Sequence, residues 1–194
     1  EFSETAANHI IAAAQAAKGR MMVLFTSHEM LRATYHSVKD CGVLDEFTLF
    51  AQGISGGSRM RLLRNFQNFE KAVLFGTTSL WEGVDIPGED LSCLIIVRLP
   101  FSPPDEPVTA AKCQLLEKQG RNPFSAYSLP EALLRFRQGF GRLIRTPEDR
   151  GVLVVLDRRI ITAKYGLEFQ KSIPAVDWHQ GSINEMVDMI EEWI

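Results

Sequence analysis

Met21-Met22-Val23-Leu24-Phe25-Thr26-Ser27-His28 runs five apolar residues into two hydroxyls and a histidine, and this stretch decides the fold. Five apolar residues in a row lack the alternation of a strand with one wet face and are too few for an ordinary helix. They predict a short strand buried on both sides. Outward from it the chain alternates. A helix is expected at about His28 to Val38, a strand at Phe47 to Phe50, a helix at Arg59 to Phe69 and a strand at Ala72 to Phe75. Strands at Leu94 to Val97 and Val152 to Leu156 follow, separated by helices near Val108 to Gln119 and Leu129 to Arg142. Apolar strands between helices imply a mostly parallel sheet covered on both faces, an α/β three-layer fold. Ahead of it, Ser3 reads as the cap of an alanine-rich leading helix within residues 1–18, stopped by Gly19. Glu1-Phe2 is compatible with a cloning scar.

A length of 194 residues with 45% apolar and 23% charged residues suits one globular domain. The net charge of -3 argues against bulk electrostatic binding of nucleic acid, so any such contact must be local. Cys41, Cys93 and Cys113 are odd in number and widely spaced, which predicts neither disulfides nor a CxxC metal site and fits a cytoplasmic setting. No apolar run approaches the roughly 20 residues that span a bilayer, so no membrane partner is expected.

Ligands of open α/β sheets gather at the carboxyl ends of the strands. The residues there read Thr26 to His28, Ala51 to Gly53, Gly76 to Ser79, Arg98 to Pro100 and Asp157 to Arg159. Two segments of the chain stand out for chemistry. In Gln138-Gly139-Phe140-Gly141-Arg142-Leu143-Ile144-Arg145, the spacings of four and three place Gln138, Arg142 and Arg145 on one helical face. Paired guanidiniums there are suited to clamp phosphate and to stabilise charge on a transferring phosphoryl group. Glycines at 139 and 141 would admit a neighbouring backbone. The alternative is a solvated basic helix end complementing the helix dipole. The second segment, Gly76 to Gly88, leaves a strand with Thr77, Thr78 and Ser79 and then offers Glu82, Gly83 and Asp85. Its hydroxyls and amides can hold phosphates, and Asp85 can accept from a ribose. An ordinary capped turn is the other reading.

In order and spacing these segments resemble the second RecA-like motor domain of superfamily 2 DNA helicases of the XPD/DinG type. Met21 to Ser27 looks like helicase motif IV, Gly76 to Gly88 like motif V, and Gln138 to Arg145 like motif VI. Arg98-Leu99-Pro100-Phe101 followed by Pro103, Pro104 and Pro107 is similar to the family's connection between motifs V and VI. The resemblance implies a RecA-like, P-loop-NTPase-type fold over 1–194. It implies arginine fingers at Arg142 and Arg145, a phosphate-orienting Gln138, and Glu82, Gly83 and Asp85 facing the nucleotide. Ser27, His28, Gln52, Thr77, Thr78 and Ser79 would line a single-stranded DNA track. Trp81 is suited either to stack on a base or to pack in the core, and Phe101, Phe124, Tyr127, Phe136 and Phe140 are expected in packing rather than in base stacking. Arg158 and Arg159 read equally as phosphate contacts or solvated side chains.

What is absent matters as much. No GxxxxGK(S/T) loop is present, and Gly53 to Ser58 lacks the lysine that reaches the β/γ-phosphates. No DEAH-type acidic pair is available for Mg²⁺. ATP and Mg²⁺ would therefore be shared with the first RecA-like domain of the same polypeptide, and this chain alone is expected to be inactive. Three isolated cysteines do not supply an iron–sulfur cluster, which leaves one open for the parent protein. The competing reading keeps the fold without the motor: a module binding single-stranded DNA or a partner for a DinG-type exonuclease.

Overall fold

The computed structural model describes residues 1–80, 91–173 and 176–194. Helix α1 (Phe2–Ala17) precedes β1 (Arg20–Phe25), α2 (His28–Asp40), β2 (Thr48–Ala51), α3 (Arg59–Gln67) and β3 (Ala72–Thr77). A 3₁₀ turn (Thr78–Leu80) ends that half. Then come β4 (Leu91–Ile96), α4 (Pro107–Lys118), a π-helical turn (Phe124–Ser128), α5 (Leu129–Leu143), β5 (Val152–Val155), α6 (Arg159–Thr162), α7 (Gly166–Lys171) and α8 (Ile183–Trp193).

Among the described residues the strands form one sheet in the order β2-β3-β1-β4-β5, every neighbouring pair parallel. Successive side chains of a strand point to opposite faces, and the core divides accordingly. Met22, Leu24, Leu74, Leu94 and Ile96 meet Leu62, Phe66, Phe136 and Phe169 from α3, α5 and α7. Met21, Val23, Phe25, Phe75 and Ile95 meet Ile10, Leu31, Tyr35 and Ile190 from α1, α2 and α8. Both faces are dry, which explains why the central strands read as unbroken apolar runs. This is the expected three-layer RecA-like arrangement. Among the described residues no helix is long and apolar enough to cross a membrane. Burial pushes the Cys93 thiol up to about 12, so it stays protonated and packs as an apolar group.

Three local expectations need correction. Helix α1 starts at Phe2 with Glu1 as its N-cap, so Ser3 lies inside the helix rather than capping it. The left-handed residue at its end is Lys18, with φ 53°. Gly19 serves a different purpose: a Cβ there would stand 2.4 Å from Ser92 Oγ, so the glycine lets β4 come close. The third correction concerns Arg145. Helix α5 stops at Leu143 and Ile144 turns extended (φ -119°, ψ 109°). Arg145 therefore lies beyond the helix and does not continue the face of Gln138 and Arg142.

Candidate functional site

Parallel strands present their carboxyl ends along one edge, so the residues after β1 to β5 converge there. Ser27 follows β1 and caps α2, its Oγ accepting from Met30 N–H at 3.2 Å. His28 opens that helix, exposed. Gly53, just past β2 with φ +81°, brings the second loop beside it, since a Cβ there would stand 4.0 Å from His28 Nδ1.

Between them, at the end of β3, a polar group closes on itself. Gln52 Oε1 accepts from Thr77 N–H (2.8 Å) and Thr77 Oγ1 (3.1 Å), while Gln52 Nε2 donates to Ser79 Oγ (3.0 Å). The hydroxyls of Thr77 and Ser79 lie 2.8 Å apart. Thr77 is buried, so it orients Gln52 and Ser79 and offers no hydroxyl at the surface. Gln52 keeps one amide hydrogen for a ligand. Arg59, which the sequence reading passed over, joins this group from the start of α3, its Nη1 donating to Ser79 O at 2.5 Å. Its position directly after the Ser58 cap, on the loop leaving β2, was the available signal.

Thr78 faces a second neighbourhood. It lines a small cleft with Phe25, Arg98, Pro100, Arg135 and Phe136, where the ends of β1, β3 and β4 meet α5. Thus Ser27, His28, Gln52, Thr77 and Ser79 lie together along β1 to β3, and Thr78 links that edge to α5.

Along α5 the buried residues Ala132, Phe136, Gly139 and Leu143 fix the helix against the sheet. At 3.6 residues per turn, Arg135, Gln138 and Arg142 fall on a stripe beside that buried face. Arg135 and Arg142 are half-buried and Gln138 is exposed. The helical stripe therefore holds Arg135 in place of Arg145. Arg145 is set by the loop behind the helix, where Asp149 Oδ2 accepts from the backbone N–H groups of Arg145 (2.8 Å) and Thr146 (2.9 Å). Those bonds, from Thr146 first and then Arg145, hold the Asp149 carboxyl below its ordinary value.

At the end of β5 the two arginines left open by the sequence separate. Arg158 is exposed. Arg159 grips the buried Asp157, with Nη2 2.6 Å from Oδ2 and Nε 3.0 and 3.1 Å from the two carboxylate oxygens. Leu99 N–H donates to the same carboxylate at 2.9 Å. Burial alone would raise the Asp157 carboxyl, but the bonds from Arg159 and Leu99 outweigh it and leave it lowered. The aromatic residues pack as expected: Phe136 is fully buried, and Phe101 stacks on Phe124 with ring centroids 5.8 Å apart. Glu82, Gly83 and Asp85, with Trp81, lie outside the described residues.

Residues 10–176 match the model of the family described as the helicase C-terminal domain. The chain belongs to this family, in its DinG/XPD branch. It is 46% identical over 188 residues to the 3'-5' exonuclease DinG of Bacillus subtilis, covering 97% of this chain and 20% of that protein. It is 39% identical over 160 residues to the ATP-dependent DNA helicase YoaA of Escherichia coli, covering 82% of this chain and 24% of that protein. The chain thus spans about a fifth of the length of these curated relatives. A solved XPD helicase superposes with a TM-score of 0.64 at 20% identity, over 89% of this chain and 30% of the other, a likeness of fold.

Proposed function

We propose that this helicase C-terminal domain is the second half of an ATP-driven DNA motor, completing a nucleotide site whose lysine and Mg²⁺ ligands stand on the first RecA-like domain. The observation that carries the proposal is a fixed polar surface at the carboxyl ends of β1 to β3, joined through α5 to an arginine-bearing helix end at the opposite edge, where Leu143 lies beside Gly151, next to Ser92, at the starts of β5 and β4. Gln52, Ser79, Ser27, His28 and Arg59 offer neutral donors and one cation, a set suited to the backbone of single-stranded DNA without base readout. Arg142 and Arg145 offer permanent positive charge to a polyphosphate.

The fit to ATP is that of a completing half. Asp157, the acid at the end of β5, has its oxygens committed to Arg159 and Leu99, so it is not a Mg²⁺ ligand. Among the described residues no three His, Cys, Asp or Glu side chains group to hold a metal ion. Bound ATP supplies the phosphoryl group whose hydrolysis drives the cycle. In this reading Arg142 and Arg145 would act as arginine fingers on the phosphates, Gln138 would orient the phosphate site, and Glu82, Gly83 and Asp85 would face the nucleotide.

A titration tests the half-site directly. This chain alone should bind ATP no tighter than on the order of millimolar, and micromolar binding would refute a shared site. The name of the Bacillus subtilis relative favours a second reading, a single-stranded DNA or partner-binding module serving a linked nuclease. Steady-state ATP hydrolysis by the full-length protein separates the two, since only the motor turns ATP over in response to DNA.

A further inference from the structure

We propose that the proline-rich segment from Leu99 to Pro107 is a strut coupling the DNA edge to the arginine helix, and that Arg159, seated on Asp157, is a positioning residue for that coupling. The inference rests on the motor reading and adds a part that neither the DNA track nor the phosphate site requires.

The segment leaves β4 at the carboxyl edge and is held at three places. At its root, Leu99 N–H donates to Asp157, a carboxylate only 1% exposed. Arg159 holds that carboxylate by its side chain and by its own backbone N–H, 3.1 Å from Oδ1. The same guanidinium lies over the Phe101 ring, 5.5 Å from its centroid. Phe101 in turn packs edge-on against Tyr165 (5.3 Å) and Phe169 (5.7 Å). From α5, Arg135 Nη1 donates to Ser102 Oγ at 2.5 Å and to Pro100 O at 3.4 Å. At the far end Glu106 caps α4 by accepting from Thr109 N–H at 3.1 Å.

Proline at 100, 103, 104 and 107 locks the φ angle at each of those positions. A segment so restricted transmits a displacement instead of absorbing it. One of its ends shares the cleft that Thr78 lines with Pro100 and Arg135, and Thr78 belongs to the proposed DNA edge. Its other connection is Arg135, seven residues before Arg142, which by helical periodicity is two turns down the same stripe. A shift at Thr78 therefore reaches the helix bearing Arg142 through Pro100, Ser102 and Arg135. Arg159 sets where the strut begins. Its guanidinium is engaged by Asp157 and Phe101, so its part is to position.

The test compares ATP turnover of the full-length protein with and without single-stranded DNA. In Arg159→Ala the stimulation by DNA should fall about tenfold, as expected when a catalytic group is misplaced by around an ångström or less. Turnover without DNA and the affinity for an oligonucleotide should stay within about twofold. Arg159→Lys should restore part of the stimulation. Ser102→Ala, which removes one bond from Arg135 at a half-buried position, should lower it about threefold. If Arg159→Ala does not fold, the same ratio in Arg159→Lys and Ser102→Ala decides. An unchanged ratio in the folded variants overturns the inference, as does an equal fall with and without DNA, which would mark a general loss of structure. Wild-type protein lacking DNA stimulation overturns the motor reading and the strut together; stimulated wild type with unaltered variants overturns the strut alone.

Discussion

At the ends of β2 and β3, Gln52, Thr77 and Ser79 satisfy one another through four short contacts. The end of α5 is built otherwise. There Gln138 is exposed, the helix breaks at Ile144, and Arg145 sits on a loop ordered by Asp149. The first region is a finished surface whose geometry is fixed within this chain. The second ends in a helix break and a loop, with Arg142 half-buried on the helix and Arg145 exposed beyond it. The contrast fits a half-motor. A track that holds DNA through a cycle gains from preorganised donors, whereas a site that opens and closes must be assembled from two pieces.

The sharpest way to break this contrast is Arg142→Ala in the full-length protein. If the α5 end acts only when the other domain closes on it, ATP hydrolysis should fall about a thousandfold, the scale of an arginine finger, with nucleotide affinity changed only a few-fold. Stopped-assay turnover and a fluorescent-nucleotide titration check it. Loss of binding in proportion to turnover would make Arg142 an ordinary ligand.

Next in size is Asp157→Ala, which leaves Leu99 N–H and Arg159 without their shared acceptor. The loss should be about 2–3 kcal/mol in urea unfolding of this chain near neutral pH. An unfolded aspartate titrates near about 3.9, and the folded Asp157 titrates below its ordinary value. Unfolding therefore takes up a proton as the pH falls past that point. The contribution of Asp157 is fully present above about pH 5 and is lost as the pH drops through the folded value. The gap between wild type and variant should narrow on acidification, and a gap independent of pH would mean the carboxylate charge has no part in it.

The strands were legible to within a few residues because the central three are buried on both faces and the edge strands β2 and β5 are also short apolar runs, half-buried in part or throughout. The edge residues were legible too, since parallel topology delivers whatever follows a strand to the same side. What stayed hidden depends on tertiary partners or on turns. The pairing of Asp157 with Arg159 needs the strand end and the proline segment to meet, and Arg135 acquires its role only through Pro100 and Ser102. Arg145 was misplaced because a four-and-three spacing was extended past the helix end. Pro147 carried the warning, for the residue before a proline disfavours helix. Helix α8 went unread although Ser182 and Glu185 form its capping box.

Thr77→Val probes the finished region. Valine fills the buried volume but removes the hydroxyl between Gln52 and Ser79, leaving Gln52 Oε1 a single partner within the group. Stability should fall by about 1 kcal/mol, and oligonucleotide affinity of the full-length protein should weaken about threefold to tenfold as Gln52 and Ser79 lose their fixed orientation. Unchanged affinity would remove this group from the DNA track.

The smallest effect is the most discriminating for the α5 end. Among the described residues nothing lies within 4 Å of a Cβ built on Gly141, and its φ is not in the left-handed region. Among the described residues the glycine therefore has no packing reason, and a helix interior disfavours it. Gly141→Ala should raise the stability of this chain by about 0.5–1 kcal/mol in urea unfolding. If a neighbouring backbone comes close to α5 when the motor closes, the same substitution should lower ATP turnover of the full-length protein a few-fold. Opposite signs in the two measurements would mean that the glycine serves an assembly this chain does not complete alone. A stabilised variant with full turnover would show that the α5 end closes against nothing at that position.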